Sequence, residues 1–249
     1  MLAYIGESIE SVIRQTHTDW ELLVVDDGST DGTVEKIQEY QAQDIRIRLI
    51  PLPVNQGVGI SRNIGIKAAV GAYIAFVDAD DIWMPMKLEK QLSFMREHNA
   101  PVSYSSFEVI NPDGSPGGFY IEALENLTFK KILKANYIGN LTGMYHASSI
   151  GKIYGAPIRK CQDWSLWLEA VNRAGRAKGI KEPLARYRRR SISDSESQWD
   201  LLPYNFAIYR KVLKFSRVKS YWYFLQFLFE QFFVKPRQKK SLVEELTSH

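Results

Sequence analysis

A single cysteine, Cys161, among 249 residues excludes an internal disulfide, a cysteine-rich zinc site and a redox pair. The most aromatic stretch, Tyr221 to Val234, covers 14 residues, short of the roughly 20 that a helix needs to cross a bilayer. No Gly-x-x-x-x-Gly-Lys-Ser/Thr loop is present, which removes the usual phosphate cradle of a phosphoryl- or nucleotidyl-transfer enzyme. Met1 to Glu7 has neither the basic start nor the apolar core of a signal peptide, so a cytoplasmic location is expected. There is no internal repeat, and charge of neither sign dominates: 32 Lys and Arg against 28 Asp and Glu give +4. The exception is the segment from 210 to 240, where nine Lys or Arg face the single acid Glu230, a local charge of +8. So small a basic cluster without a recognition module gives no reason to expect nucleic-acid binding.

What the chain does contain is alternation. Ile5, Ile9, Val12 and Ile13 recur at helical spacing, and Trp20 to Val25 is an apolar run of strand length. A helix bearing Val34, Ile37 and Tyr40 follows, then the alternating strand Ile45 to Ile50. Asn55-Gln56-Gly57 turns into a helix with Ile60, Ile64 and Ala68 on one face; Ala72 to Val77 reads as a second buried strand, and Leu88, Leu92 and Met95 stripe the helix after Pro85. Helices alternating with strands imply an α/β, mostly parallel sheet. Beyond residue 100, Val102 to Val109 reads as a strand and the stretch to about 158 as irregular with short helices; Trp164 to Ala174 is an amphipathic helix, and the Tyr187 to Ser193 segment is too basic and polar for a core element.

Two acidic runs close the apolar strands: Asp26-Asp27-Gly28-Ser29-Thr30-Asp31 and Asp78-Ala79-Asp80-Asp81. Crowded carboxylates repel one another unless a cation collects there, and magnesium or manganese prefers such oxygens while keeping substrate phosphates in its remaining positions. In parallel sheets ligands sit beyond the carboxyl ends of the strands, where both runs fall. Asp31 alone suits a helix cap. Asp26 and Asp27 can accept hydrogen bonds from a nucleobase or ribose, and the alternate spacing of Asp78 and Asp80 puts both on one side of extended backbone.

Residues 4 to about 195 resemble an inverting glycosyltransferase of family 2. The matching pieces are Ile9-Glu10-Ser11-Val12 with Gln15-Thr16, Trp20 through Asp31, Asn55-Gln56-Gly57 with Ser61-Arg62-Asn63, and Phe76-Val77-Asp78-Ala79-Asp80-Asp81. The resemblance implies the GT-A fold, a mixed, mostly parallel sheet flanked by helices, over residues 1–210. It also implies a nucleotide-sugar donor, expected to be a UDP-sugar, with Mn2+ or Mg2+ on the diphosphate. By it Asp27 contacts the base, Asp78 the nucleotide and Asp80 the metal, while Asp26 and Arg62 belong to the same donor site. Cys161-Gln162-Asp163-Trp164 stands where the family carries an acidic pair opening a late helix; Gln162 replaces the commoner Glu, and Asp163 keeps the carboxylate that would act as catalytic base. Arg186, Arg188, Arg189 and Arg190 around Tyr187 are similar to a segment that folds over the diphosphate, giving Arg188 and Arg190 as donor ligands; a solvated basic loop is the plain alternative.

Family members usually begin with an apolar strand ahead of the first helix here, and that strand is missing from this sequence. The expected consequences are an unpaired gap within the sheet and an incomplete base pocket, and the expected cause is a start lying upstream of Met1. A non-catalytic member that binds donor or a partner without turnover is the alternative function. Residues 211–249 form a basic, aromatic tail expected to be helical. Its segment 216–240 suits peripheral contact with the inner face of the plasma membrane, or else packs on the catalytic body. With a membrane-facing tail, a glycan or lipid-linked glycan acceptor is expected, as in surface-polysaccharide or lipopolysaccharide synthesis.

Overall fold

A computed structural model describes residues 1–158, 160–189 and 198–242. The N-terminal half runs α1 (Leu2–Ile13), β1 (Leu22–Asp26), α2 (Thr33–Gln43), β2 (Ile47–Pro51), α3 (Val58–Ala68), β3 (Tyr73–Ala75), β4 (Ile82–Trp83) and α4 (Lys87–Glu97). The helical periodicities produce these helices because each buries one stripe: Ile5, Ile9 and Val12 on α1, Ile37 on α2, Leu88, Leu92 and Met95 on α4. On α3 the stripe is rotated from the expected one: Ile60 is exposed, whereas Ser61 and Ile66 are buried. The first turn of α3 lies against a later helix start, where a Cβ on Gly59 would stand 2.7 Å from Gln162 Cγ and oblige that side chain to shift.

The C-terminal half adds β5 (Val102–Ile110), β6 (Pro116–Ile121), β7 (Asn126–Thr128), α5 (Phe129–Ile132), β8 (Met144–His146), α6 (Ala147–Ile150), α7 (Gln162–Ala174), β9 (Arg176–Arg188), α8 (Gln198–Ala207), α9 (Arg217–Phe229) and β10 (Lys239–Ser241). The irregular stretch therefore holds three short strands, two of them only three residues long and the third opening on Pro116-Gly117-Gly118, too brief or too glycine-rich to show alternation. Tyr187 and Arg188 end strand β9 and do not lie in a solvated loop. Arg188 is 2% exposed and tolerates burial because carbonyls and a carboxylate surround its guanidinium.

The sheet is mixed. β1 pairs β2 in parallel and β5 pairs β9 in parallel; β5 also pairs β6 and β8, and β8 pairs β3, all antiparallel. Among the described residues β1 and β2 form a separate two-stranded sheet, and no strand bridges β1 to β3. The facing edges, Leu22 to Asp26 and Tyr73 to Val77, instead line one cavity of about 1510 Å3. That exceeds the roughly 300–1,000 Å3 of ordinary ligand sites, because the cleft at the strand ends merges with the gap between the strands. β3 spans three residues where six were expected, its ladder supported among the described residues by β8 alone.

The largest core cluster centres on α7, whose Trp164 and Trp167 are 2% and 0% exposed. It draws in Tyr209 and Phe227, so residues on both sides of position 210 share one core. The tail is held polar as well as apolar: buried Glu230 accepts from Lys131 Nζ and from the Tyr137 hydroxyl, and β10 pairs β6. The packed alternative for the tail thus describes one face of α9. The opposite face leaves Val218, Tyr221, Trp222, Leu225 and Phe229 exposed, as is Phe233 just beyond the helix.

Candidate active site

The first acidic run is a turn whose oxygens the backbone uses. Asp26, at the end of β1, accepts from the amides of Gly28 (3.2 Å) and Ser29 (3.0 Å). Asp27 turns to the start of α3, one oxygen accepting from Gln56 N and the other from Gly57 N, both at 2.8 Å. Asp31 does not cap α2: the N-cap is Gly32, with no side-chain cap, and Asp31 one residue earlier accepts from Thr33 N at 3.3 Å as a local turn.

The second run is held by its main chain. Ser8 Oγ donates to the Asp78 carbonyl at 3.1 Å, and Arg188 donates from Nε to the Asp80 carbonyl and from its backbone amide to Asp81 Oδ1, both at 3.0 Å. Arg188 also donates to Glu7 and sits over the Tyr4 ring, so α1 and β9 together clamp the loop. Arg188 thus touches the acidic loop from within the fold, and Arg190 lies outside the described residues. Asp81 is 1% exposed; burial, with Asp78 and then Asp80 nearby, pushes its carboxyl up to about 8. Arg62 on α3 reaches Asp78 at 3.2 Å, and Asn140 Nδ2 shares the same oxygen at 3.3 Å.

Asp163 lies in the first turn of α7, partly buried, its Oδ2 accepting from Asn136 Nδ2 at 2.9 Å. Burial raises its pKa above the usual carboxylate range, and the Arg62 charge opposes the rise. Asn136 is in turn fixed through its carbonyl by Lys235 Nζ at 2.8 Å. Asp26, Asp27, Arg62, Asp78, Asp80, Asp163 and Arg188 all line the large cavity. The acids are hard oxygen donors; burial is the main cause of the raised Asp81 value, and the charges of Asp78 and Asp80 that add to it are ones a divalent cation would relieve. Among the described residues no three His, Cys, Asp or Glu side chains form a ready cage, so much of a cation's shell would fall to the ligand. Asn136, Asn140 and Lys235 were invisible in the sequence because single amides and a tail lysine carry no spacing signal; Asp81 stood in the run without a role.

Comparison with known proteins decides the family. The model described as Glycosyl transferase family 2 matches residues 2–153, more than half of the chain. The chain belongs to this family. Within glycosyltransferase family 2 it is 38% identical over 224 residues to the putative teichuronic acid biosynthesis glycosyltransferase TuaG of Bacillus subtilis, covering 90% of this chain and 89% of that one. It is also 38% identical over 167 residues to the Escherichia coli UDP-Glc:alpha-D-GlcNAc-diphosphoundecaprenol beta-1,3-glucosyltransferase WfgD, covering 67% and 64%. The fold resembles S. aureus TarS 1-349 in complex with UDP-GlcNAc, with a TM-score of 0.69 at 21% identity over 92% of this chain and 70% of that one. A mannosyltransferase from Pyrobaculum calidifontis in complex with GDP-Man and Mn2+ gives a TM-score of 0.63 at 13% identity, over 96% and 68%. This family-2 enzyme therefore has the GT-A fold and is a glycosyltransferase.

Proposed function

We propose that this glycosyltransferase moves a sugar from a UDP-sugar to a hydroxyl of a lipid-linked glycan, with inversion, in the building of a cell-surface polysaccharide. The observation that carries the reading is the placement of Asp163 on the same cavity as Asp78, Asp80 and Arg62, so a carboxylate with a raised pKa faces the strand-end acids across the cleft. Asp163 takes the proton from the acceptor hydroxyl as that oxygen attacks the anomeric carbon from the side opposite the leaving diphosphate. Arg62 and Asn140 hold Asp78 in place for the nucleotide. Asp80 with the diphosphate would hold Mn2+ or Mg2+, which supplies charge stabilisation to the leaving group.

The exposed face of α9, flanked by Arg217, Lys219, Arg237, Lys239 and Lys240, rests on the anionic inner face of the membrane, where such acceptors reside. No helix among the described residues is long and apolar enough to cross a membrane. The acceptor class is supported by WfgD, whose acceptor is a diphosphoundecaprenol-linked sugar, and the donor class by that enzyme and by the UDP-GlcNAc complex of TarS. A screen of UDP-sugars, with and without Mn2+, tests the reading: metal-dependent turnover of one donor is expected, and no turnover of any would overturn it.

A further inference from the structure

A second cavity, of about 270 Å3, opens on the other side of Asp163. Of the residues lining the two cavities, Asp163 alone is common to both among the described residues. The proposed base therefore stands at a junction, with the strand-end acids on one side and a smaller chamber on the other. The chamber's chemistry differs from that of the cleft. Its walls carry the amides of Asn136, Asn205 and Gln231, the rings of Trp164 and Phe232, and the aliphatic and cationic parts of Lys235. Asn136 already bonds Asp163 and Asn205 Oδ1 accepts from Cys161 Sγ, but rings offering flat apolar faces beside the Gln231 amide suit a sugar, which has C–H faces and hydroxyl edges. The volume lies below that of sites enclosing drug-sized ligands, which limits the occupant to about one ring.

We infer that this chamber is the subsite for the terminal sugar of the acceptor, and that the C-terminal segment builds its outer wall. The inference rests on the proposed role of Asp163 and names where the attacking hydroxyl comes from. Gln231, Phe232 and Lys235 lie beyond residues 2–153, the part matched by the family model, so this wall of the chamber comes from the C-terminal segment. Phe232, three residues past the end of α9, is 38% exposed and also lines the chamber. The mouth of the chamber thus sits at the edge of the face that meets the bilayer, as an acceptor anchored in lipid requires. Lys235 holds the inner wall: its ammonium, pushed down to about 8 by burial, donates to the Asn136 carbonyl, and Asn136 donates to Asp163.

The experiment uses the full chain with Mn2+, the UDP-sugar found by the donor screen, and methyl and octyl glycosides of glucose, galactose, mannose and N-acetylglucosamine as acceptors. Gln231→Trp fills the chamber and Phe232→Ala removes a wall; both sites are partly open to solvent, and melting curves check that each variant folds. For the glycoside that wild type uses, acceptor KM should rise at least tenfold in both variants while donor KM moves less than twofold. Unchanged acceptor KM, or equal losses for donor and acceptor, would overturn the subsite while leaving the donor reading intact. Where wild type turns over no donor, the donor reading fails, and the subsite is judged by saturation-transfer NMR on the same glycosides with UDP present. A glycoside signal that Gln231→Trp abolishes upholds the subsite; no signal from any glycoside overturns it.

Discussion

Two strand ends in this protein carry nearly the same letters and do opposite physical jobs. At Asp26-Asp27 the carboxylates accept four backbone amides, from Gly28, Ser29, Gln56 and Gly57, and so close a turn and dock the start of α3. At Asp78 to Asp81 the main chain is clamped by Ser8 and Arg188, while the side chains crowd together and Asp81 is driven toward its neutral form. Fixed amides take up the charge of the first run, whereas at the second Asp78 pairs with Arg62 and Asn140 and Asp81 accepts from the Arg188 amide, and the charge that stays crowded is what we propose a cation meets. The lesson is that an acidic strand end identifies a site only once the partners of its oxygens are known.

The sharpest way to test the contrast is at Asp163, which belongs with the second group. Asp163→Asn should lower transfer by about 10²–10⁴-fold with UDP-sugar binding retained, measured by single-turnover assay and calorimetry. Normal transfer would remove Asp163 from the mechanism. Asp80→Asn should abolish the manganese-dependent part of donor binding, a loss of at least about tenfold, without lowering the melting temperature, since less negative charge is crowded at the loop. Asp27→Ala should do the reverse, costing about 2 kcal/mol of stability through two lost charge-assisted hydrogen bonds at a half-exposed position. If Asp27→Ala instead spared the melting curve and removed donor binding, the contrast between the two runs would collapse.

Smaller effects sharpen it further. Serine at Trp222, Phe229 and Phe233 together should weaken partition onto phosphatidylglycerol vesicles by about tenfold, with no change in the melting curve, because these side chains are exposed. Unaltered partition would detach the tail from the membrane. The acid limb of the transfer profile should be the subtlest signal. A base must be ionised, burial raises the Asp163 value and Arg62 lowers it, so transfer falls as pH drops through a point above the ordinary carboxylate range. Arg62→Ala removes the opposing charge and should move that limb to higher pH; a shift to lower pH would contradict the assignment.

Much of this was legible in the residues. Periodic apolar positions place α1, α2, α4, α7 and the strands β1, β2 and β5, because helix and strand periods follow from which side chains one face must bury. The acidic runs mark strand ends for the same local reason, whereas the Cys161-Gln162-Asp163-Trp164 segment was singled out by the family resemblance and not by any spacing of its own. Pairing and partnership were not legible. Strand β9 and the three-residue strands owe their state to neighbours distant in sequence, and the burial of Arg188 depends on Glu7 and on carbonyls 76 to 108 positions away. The tail shows composition alone; that one face of α9 packs on Trp164, the other stays bare, and Lys235 reaches back to the loop holding Asp163 are outcomes of tertiary packing. Local sequence determines what a segment can bury, whereas the dielectric around a charge and the donors within its reach exist only after distant segments have met.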